Sequence, residues 1–275
     1  MSKPRLILVI GLGHSGTTIL DAALGCAPEL VGVGEAVRML DPRPPASGEA
    51  WSKLRTGPRE DLFCTCARTA ADCPVWSGLA LGEGRGVAAD YPALHAAALA
   101  AKPGAVAVVD STPGGIAYLD ALQAFDVQAI QITRDARSWA ASWARRKNRP
   151  AWAAYNRWRV GTRKFTATLE TRGIPRFTLG YEEFALRPEA TLRLLCGWLG
   201  ATYVPAMLSP YGATGSHIIS GNRAVKDPAR ASSISYDGSW MAVPGRPVLE
   251  ALMFARVAAE NRTLVYSNGI IRTWA

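Results

Sequence analysis

Within LILVIGLGHSGTTILDAAL, from Leu6 to Leu24, an apolar run breaks into a turn of small residues and resumes as an apolar-periodic segment. Gly11, Gly13, Ser15 and Gly16 let consecutive backbone N–H groups converge on one anion, and the N-terminus of the following helix adds its partial positive charge. Gly11, four residues, Gly16, then Thr17 and Thr18 follow the spacing of a Walker A loop, but Thr17 stands where the phosphate-touching lysine belongs. The expectation is a phosphate- or sulfate-binding loop lined by Gly13, His14, Ser15, Gly16, Thr17 and Thr18, without ordinary ATP chemistry. A histidine has few structural reasons to sit in a glycine loop, whereas an imidazolium there supplies charge and a neutral imidazole a hydrogen bond.

A second group of residues has the chemistry of a phosphate clamp. Arg134 directly follows a β-branched apolar run, and Ser142 lies eight residues on. That is about two helical turns, so both face one side of a helix that starts near Asp135. An arginine paired with a hydroxyl is suited to holding phosphate. VVDSTP, from Val108 to Pro113, adds polar residues at the end of another apolar run. Of the five cysteines, Cys26 and Cys196 sit in apolar patterns, while Cys64, Cys66 and Cys73 form a CxCx6C cluster ahead of Pro74 and Trp76. That cluster suits a metal or a disulfide, yet the neighbouring sequence offers no fourth Cys or His to complete a tetrahedral site. A thiol-bearing structural loop is the first reading, with a metal site and a disulfide both left open.

These residues need a scaffold that brings strand ends together. Leu6 to Ile10, Leu30 to Val33, Ala105 to Val109, Val127 to Thr133 and Phe177 to Leu179 read as strands. Helices are expected after the glycine loop, over Tyr91 to Ala101, Ile116 to Phe125, Arg134 to about Arg149, Ala151 to Arg172, Pro188 to Leu199 and Pro247 to Tyr266. Such alternation predicts an α/β fold, a single three-layer domain over residues 1–275 with a central parallel sheet and right-handed crossovers. Two irregular stretches interrupt it, an insertion over about 41–90 and a Gly/Ser/Pro-rich loop over about 209–245. Ligands of open α/β sheets bind outside the carboxyl ends of the strands, so Gly11 to Thr18, Asp110 to Pro113 and Arg134 to Ser142 should share one crevice.

With 275 residues, 49% of them hydrophobic, the chain can bury a substantial core. Its net charge of +9 suits nucleic acid, a membrane surface or a polyanionic small molecule, and does not choose among them. No signal-peptide pattern opens the sequence and no apolar stretch reaches membrane-spanning length, so a cytoplasmic protein without a membrane span is expected. The basic run Arg145, Arg146, Lys147 and Arg149 reads as a solvated helix end. Most of the nine tryptophans read as core, with Trp240 the candidate platform for an adenine or an acceptor.

GLGHSGTT resembles the 5′-phosphosulfate loop of sulfotransferases that use 3′-phosphoadenosine 5′-phosphosulfate (PAPS), and ITRDARSWAAS resembles their 3′-phosphate motif. VVDSTP is similar to the DSSK-type element of bacterial members, SHIISGNR at Ser216 to Arg223 to their Gly-Asn loop, and CTCARTAADCPVW to a cysteine-containing insertion in some of them. The resemblance implies that Arg134 and Ser142 bind the 3′-phosphate, that His14 stands in for the usual loop Lys or Arg at the leaving phosphate, and that Arg223 or Lys226 contacts the donor. Glu35, in VGVGEAVRML, resembles the Gly-Glu element that carries the general base in several members, with His217 next in line. Arg38 then holds an acidic acceptor or orients the carboxylate, and Asp110 and Ser111 fall with the acceptor-binding residues, Asp110 chiefly as an orienter of loop backbone. The implied activity is sulfuryl transfer from PAPS to a hydroxyl of a carbohydrate, lipid or other small metabolite, requiring no metal.

Two other readings compete with it. A P-loop nucleotide or small-molecule kinase predicts Mg²⁺ dependence and the lysine that Thr17 replaces. A non-catalytic polyanion- or nucleic-acid-binding protein predicts aromatic residues interleaved on a basic face, a pattern confined to the Ala151 to Lys164 helix; no nucleic-acid partner is expected.

Overall fold

The computed structural model describes residues 2–42, 58–79, 85–147, 151–210, 215–221, 233–242, 253 and 255–271. Strand β1 (Arg5–Ile10) runs into the glycine loop and helix α1 (Thr17–Leu24), followed by β2 (Leu30–Gly32) and the single turn α2 (Ala36–Met39). Then come α3 (Val87–Ala101), β3 (Ala107–Asp110), β4 (Asp126–Thr133), α4 (Ala136–Lys147), α5 (Ala151–Thr171), β5 (Arg176–Gly180), α6 (Tyr181–Leu186), α7 (Pro188–Leu199) and α8 (Ala255–Val265). The strands form one sheet in the order β2-β3-β1-β4-β5, and every pairing is parallel.

Strand alternation explains why the runs are apolar throughout. Leu6, Leu8 and Ile10 join Val31, Val33 and Val108 in one core, while Ile7 and Val9 join Leu30, Ala107, Val109, Ile130 and Ile132 in the other. Both faces of the sheet are covered, as parallel sheets require. On the first face lie α3, through Tyr91, Leu94 and Ala98, and α5, through Phe165 and Leu169. On the second lie α1, α6 and α7, through Leu20, Leu24, Phe184, Leu192 and Leu195. The fold is thus the expected single three-layer α/β domain. A third core, built by Trp139, Tyr155, Trp158, Val257 and Val265, ties α4 to α5 and α8.

Four elements differ from expectation. The segment predicted as a helix over Ile116 to Phe125 holds only a 3₁₀ turn at Gly115–Tyr118, followed by further turns closed mostly by hydrogen bonds spanning three residues. Its buried residues Ile116, Leu119, Leu122 and Phe125 recur every third position, the period of 3₁₀ rather than α structure. Helix α3 begins at Val87 and carries Pro92 inside it, so the helix reaches into the end of the predicted insertion. The short α6 and the late start of α4, at Ala136, are the others, and the latter leaves Arg134 and Asp135 just outside the helix. Residues 247–252, part of the predicted last helix, lie outside the described residues, as do most of the 41–57 stretch and 222–232.

Candidate functional site

β1 delivers the chain to Gly11, where an added Cβ would approach the Ile132 carbonyl within 2.6 Å. Beyond it, His14 (φ 73°) and Gly16 (φ 86°) both adopt left-handed backbone, a conformation that alternates peptide directions and turns neighbouring N–H groups into one concavity. For a residue with a Cβ, such as His14, that conformation costs about 1–3 kcal/mol, and it is tolerated where the surroundings enforce it. The enforcement comes from β4 and α4: Arg134 Nη1 donates to the His14 carbonyl at 3.3 Å and Trp139 Nε1 to the Gly13 carbonyl at 3.0 Å. These bonds hold the loop carbonyls against α4. Gly13 faces open space, with no heavy atom within 4 Å of a built Cβ. Thr17 and Thr18, both buried, occupy the first turn of α1.

Arg134 is itself buried, and its guanidinium is fully organised. Nε donates to Ser138 Oγ at 2.7 Å, Nη2 pairs with Asp237 Oδ2 at 2.9 Å, and the group lies 4.9 Å from the Tyr181 ring centroid. Burial by itself raises the Asp237 carboxyl, but hydrogen bonds from Ser239 and Arg134, with the guanidinium charge, outweigh it and hold the group at about 2. A carboxylate therefore already occupies Arg134's anion-binding face. Ser142, half-buried, sits one turn beyond Ser138, so the hydroxyl nearest to Arg134 is the one four residues on rather than eight. Ser138, Tyr181 and Asp237 escaped the sequence reading. An i+4 serine on the same helix face was visible there; the other two come from distant segments whose approach has no local signal.

Across the sheet, Glu35 is the N-cap residue of α2, with Arg38 Nη1 at 3.5 Å from its Oε2. Gly34 holds φ 71° because Ile218 and the Ser220 carbonyl pass within 2.8 Å of where a Cβ would lie. The turn carrying Glu35 is fixed from three sides. Asp21, in α1, accepts from Gly34 N at 2.9 Å; Asp110 accepts from Val37 N at 2.8 Å, Thr112 N at 2.9 Å and the Tyr91 hydroxyl at 3.0 Å. Ser111 N donates to the Gly34 carbonyl at 2.7 Å, and Arg38 N to Thr112 Oγ1 at 3.4 Å. Asp110 and Ser111, expected to face an acceptor, are instead fully buried beneath the Glu35 turn, because the backbone donors there need acceptors. Burial pushes the Asp110 carboxyl up to about 6 despite those hydrogen bonds, and holds Asp21 well above the ordinary carboxylate range. Asp21 was also missed, although an acid inside the apolar pattern of α1 is a readable signal.

The segment Ser216 to Gly221 joins the two halves. Ser220 accepts from Glu35 N at 3.4 Å, and a Cβ on Gly221 would meet Thr18 Cγ2 at 2.7 Å. Glu35, Thr18 and the glycine loop are thereby brought together at the carboxyl ends of the strands, and Arg134 meets the same loop at His14. His217 does not face it: the ring is buried, with Nδ1 3.2 Å from Cys73 Sγ. The neighbouring sequence holds no fourth Cys or His, but the fold brings one to the cysteine cluster from 144 positions away in the chain. Trp240 is buried against Ala141 and Arg137, its Nε1 donating to the Tyr236 hydroxyl at 2.8 Å. Arg223 and Lys226, and the side chains of Arg145, Arg146, Lys147 and Arg149, lie outside the described residues. Among the described residues no helix is long and apolar enough to cross a membrane.

Beside Arg134, Glu182 Oε2 accepts from Asp135 N at 3.0 Å, and burial together with the Asp135 charge pushes Glu182 up to about 8. Between about pH 4.5 and pH 8 the unfolded chain has lost this proton while the folded chain keeps it, so stability falls as pH rises, by up to about 1.4 kcal/mol per unit. Glu182→Gln cannot titrate. The gain in its melting temperature over the wild type is expected to grow from pH 5 to pH 8, and a pH-independent difference in calorimetric scans would contradict this assignment.

A family model described as "Sulfotransferase family" matches residues 4–205. No curated protein matches the chain. Among solved structures, the chain is similar to a sulfotransferase domain from the curacin biosynthetic pathway, with a TM-score of 0.58 and 16% identity over 92% of this chain and 97% of that one. It is similar to the sulfotransferase domain of the Synechococcus PCC 7002 olefin synthase at a TM-score of 0.58 and 19% identity, covering 92% and 96% of the two chains. At these identities the likeness establishes the fold, and the site must speak for the chemistry.

Proposed function

Given that this chain belongs to the sulfotransferase family, we propose that it moves a sulfuryl group from PAPS to the hydroxyl of a carbohydrate, lipid or other small metabolite. The observation that carries this reading is the bridge between the two anion sites: Arg134, paired to a carboxylate, also grips the carbonyl of His14 in the glycine loop. A donor carrying phosphates at the 3′ and 5′ positions of one ribose fits that arrangement. The loop has open space at Gly13 for one anion, and Asp237 is an internal stand-in for the other.

In this scheme the loop N–H groups, Thr17 and Thr18 hold the 5′-phosphosulfate, and Arg134 leaves Asp237 to take the 3′-phosphate with Ser138 and Ser142 nearby. Arg223 is a further donor contact by resemblance alone. Glu35, oriented by Arg38, accepts the proton of the attacking hydroxyl, whose oxygen forms a bond to sulfur as the bond from sulfur to the bridging phosphate oxygen breaks. His14 and the loop amides stabilise the charge that grows on that oxygen, and alignment of the three atoms supplies much of the rate. Asp21 and Asp110 act as positioning residues, because they fix the backbone on either side of Glu35. The scheme assigns no step to a metal. We take residues 1–275 as one unit working in the cytoplasm.

The reading is tested by incubating the chain with ³⁵S-labelled PAPS and a panel of sugars, hydroxy lipids and phenols. Label is expected on at least one hydroxyl compound, with adenosine 3′,5′-bisphosphate (PAP) released in equal amount. Phosphoryl transfer from Mg²⁺-ATP to the same panel, without sulfuryl transfer, would revive the kinase reading.

A further inference from the structure

The function above leaves one buried cluster unused. Cys64, Cys66, Cys73 and His217 bring one donor atom each to within 4.8 Å of all the others. Cys73 Sγ is 3.7 Å from both Cys66 Sγ and Cys64 Sγ, and 3.2 Å from His217 Nδ1. We propose that these four residues bind one Zn²⁺ tetrahedrally and thereby clamp the cysteine insertion onto the segment that supports Glu35.

The distances match the ion. Two thiolates at about 2.3 Å from a tetrahedral zinc lie about 3.8 Å apart, and a thiolate and an imidazole nitrogen about 3.6 Å apart. The two sulfur distances to Cys73 agree, and the histidine is a few tenths of an ångström inside its position. Bonded sulfurs would sit about 2.05 Å apart, whereas all five cysteines here are free thiols. Three sulfurs and one nitrogen in a tetrahedron select zinc over the hard cations. Binding releases the three thiol protons and leaves the site with one net negative charge, and four protein donors leave no position open for a substrate. The ion is structural on this account.

Local structure is built for it. Cys64 N bonds to the Arg68 carbonyl at 2.8 Å and Ala67 N to the Cys64 carbonyl at 3.1 Å, closing a tight turn in which Ala67 takes φ 64°. A non-glycine residue holds that conformation at a cost, and here it swings Cys64 and Cys66 toward Cys73. Around the cluster, Thr65 exchanges backbone and side-chain hydrogen bonds with Ser216 and Ile218, and Trp76 Nε1 donates to the His217 carbonyl at 2.8 Å. His217 N in turn donates to the Gly32 carbonyl at 2.6 Å, at the end of β2. A zinc there closes a loop of some 150 residues and pins the strand end from which Glu35 emerges.

The test uses the full chain purified under reducing conditions, with metal content read by plasma mass spectrometry and no donor or acceptor present, so it is independent of the transfer reaction. About one zinc per chain is expected, released in step with mercurial titration of three thiols, and Co²⁺ exchanged into the holoprotein should give the visible bands of tetrahedral cobalt with thiolate charge transfer. Cys73→Ser should lose the metal. Should that variant fail to fold, His217→Cys, which preserves four ligands, is expected to keep zinc and to shift the cobalt bands toward those of a tetrathiolate site. A folded wild-type chain without stoichiometric metal, a disulfide among the three cysteines, iron in place of zinc, or unchanged cobalt bands in His217→Cys would overturn the proposal.

Discussion

Glu35→Gln is expected to lower kcat by at least about a hundredfold while leaving the affinity for PAP unchanged, the scale on which loss of a positioned general base is felt. The substitution keeps the shape of the side chain and removes its ability to take a proton. It also leaves the turn intact, because that turn is held by backbone groups bonded to Asp21, Asp110 and Ser111. A split between kcat and donor binding therefore separates chemistry from structure. Steady-state rates with labelled donor, combined with calorimetric PAP titration, give both quantities. A fully active Glu35→Gln variant would move the base elsewhere, and not to His217, whose ring faces the cysteines.

Arg134→Ala is expected to weaken PAP binding by more than about 1.5 kcal/mol, over tenfold, because it deletes a charge-assisted contact in a buried setting. Two effects reinforce each other. The guanidinium is lost as an anion ligand, and Asp237 is left as an unneutralised carboxylate beside the 3′-phosphate position. The second effect can be isolated, since Arg134→Ala combined with Asp237→Asn should recover part of the lost affinity. Calorimetry on the three proteins measures this, and equal affinity in wild type and Arg134→Ala would remove Arg134 from the donor site.

Much of this arrangement is legible in the residues themselves. Buried parallel strands are continuous apolar runs, so β1, β3 and β4 are recognisable, and their order already places the glycine loop, the Asp110 end and Arg134 on one edge of the sheet. Short elements fared differently. The period of three across Ile116 to Phe125 spelled a chain of turns but passes for an amphipathic helix when only the presence of apolar residues is counted. Contacts made over long sequence distances leave no local trace: Asp237 reaches Arg134 across 103 positions and His217 reaches Cys73 across 144. The cysteine cluster is the clearest case, because a three-ligand motif reads as incomplete until the fold delivers the fourth donor. Asp110 illustrates a different limit. A polar residue at a strand end suggests a ligand contact, and only the hydrogen-bond partners reveal a carboxylate spent on the backbone of its neighbours.

The central claim, a donor site built for an adenosine carrying both 3′- and 5′-phosphates, is tested most directly by titrating the wild-type chain with PAP and with ADP, each with and without Mg²⁺. Tight PAP binding that is indifferent to the metal, with ADP bound far more weakly, is the predicted result. Preference for ADP in the presence of Mg²⁺, or no binding of either nucleotide, would contradict it.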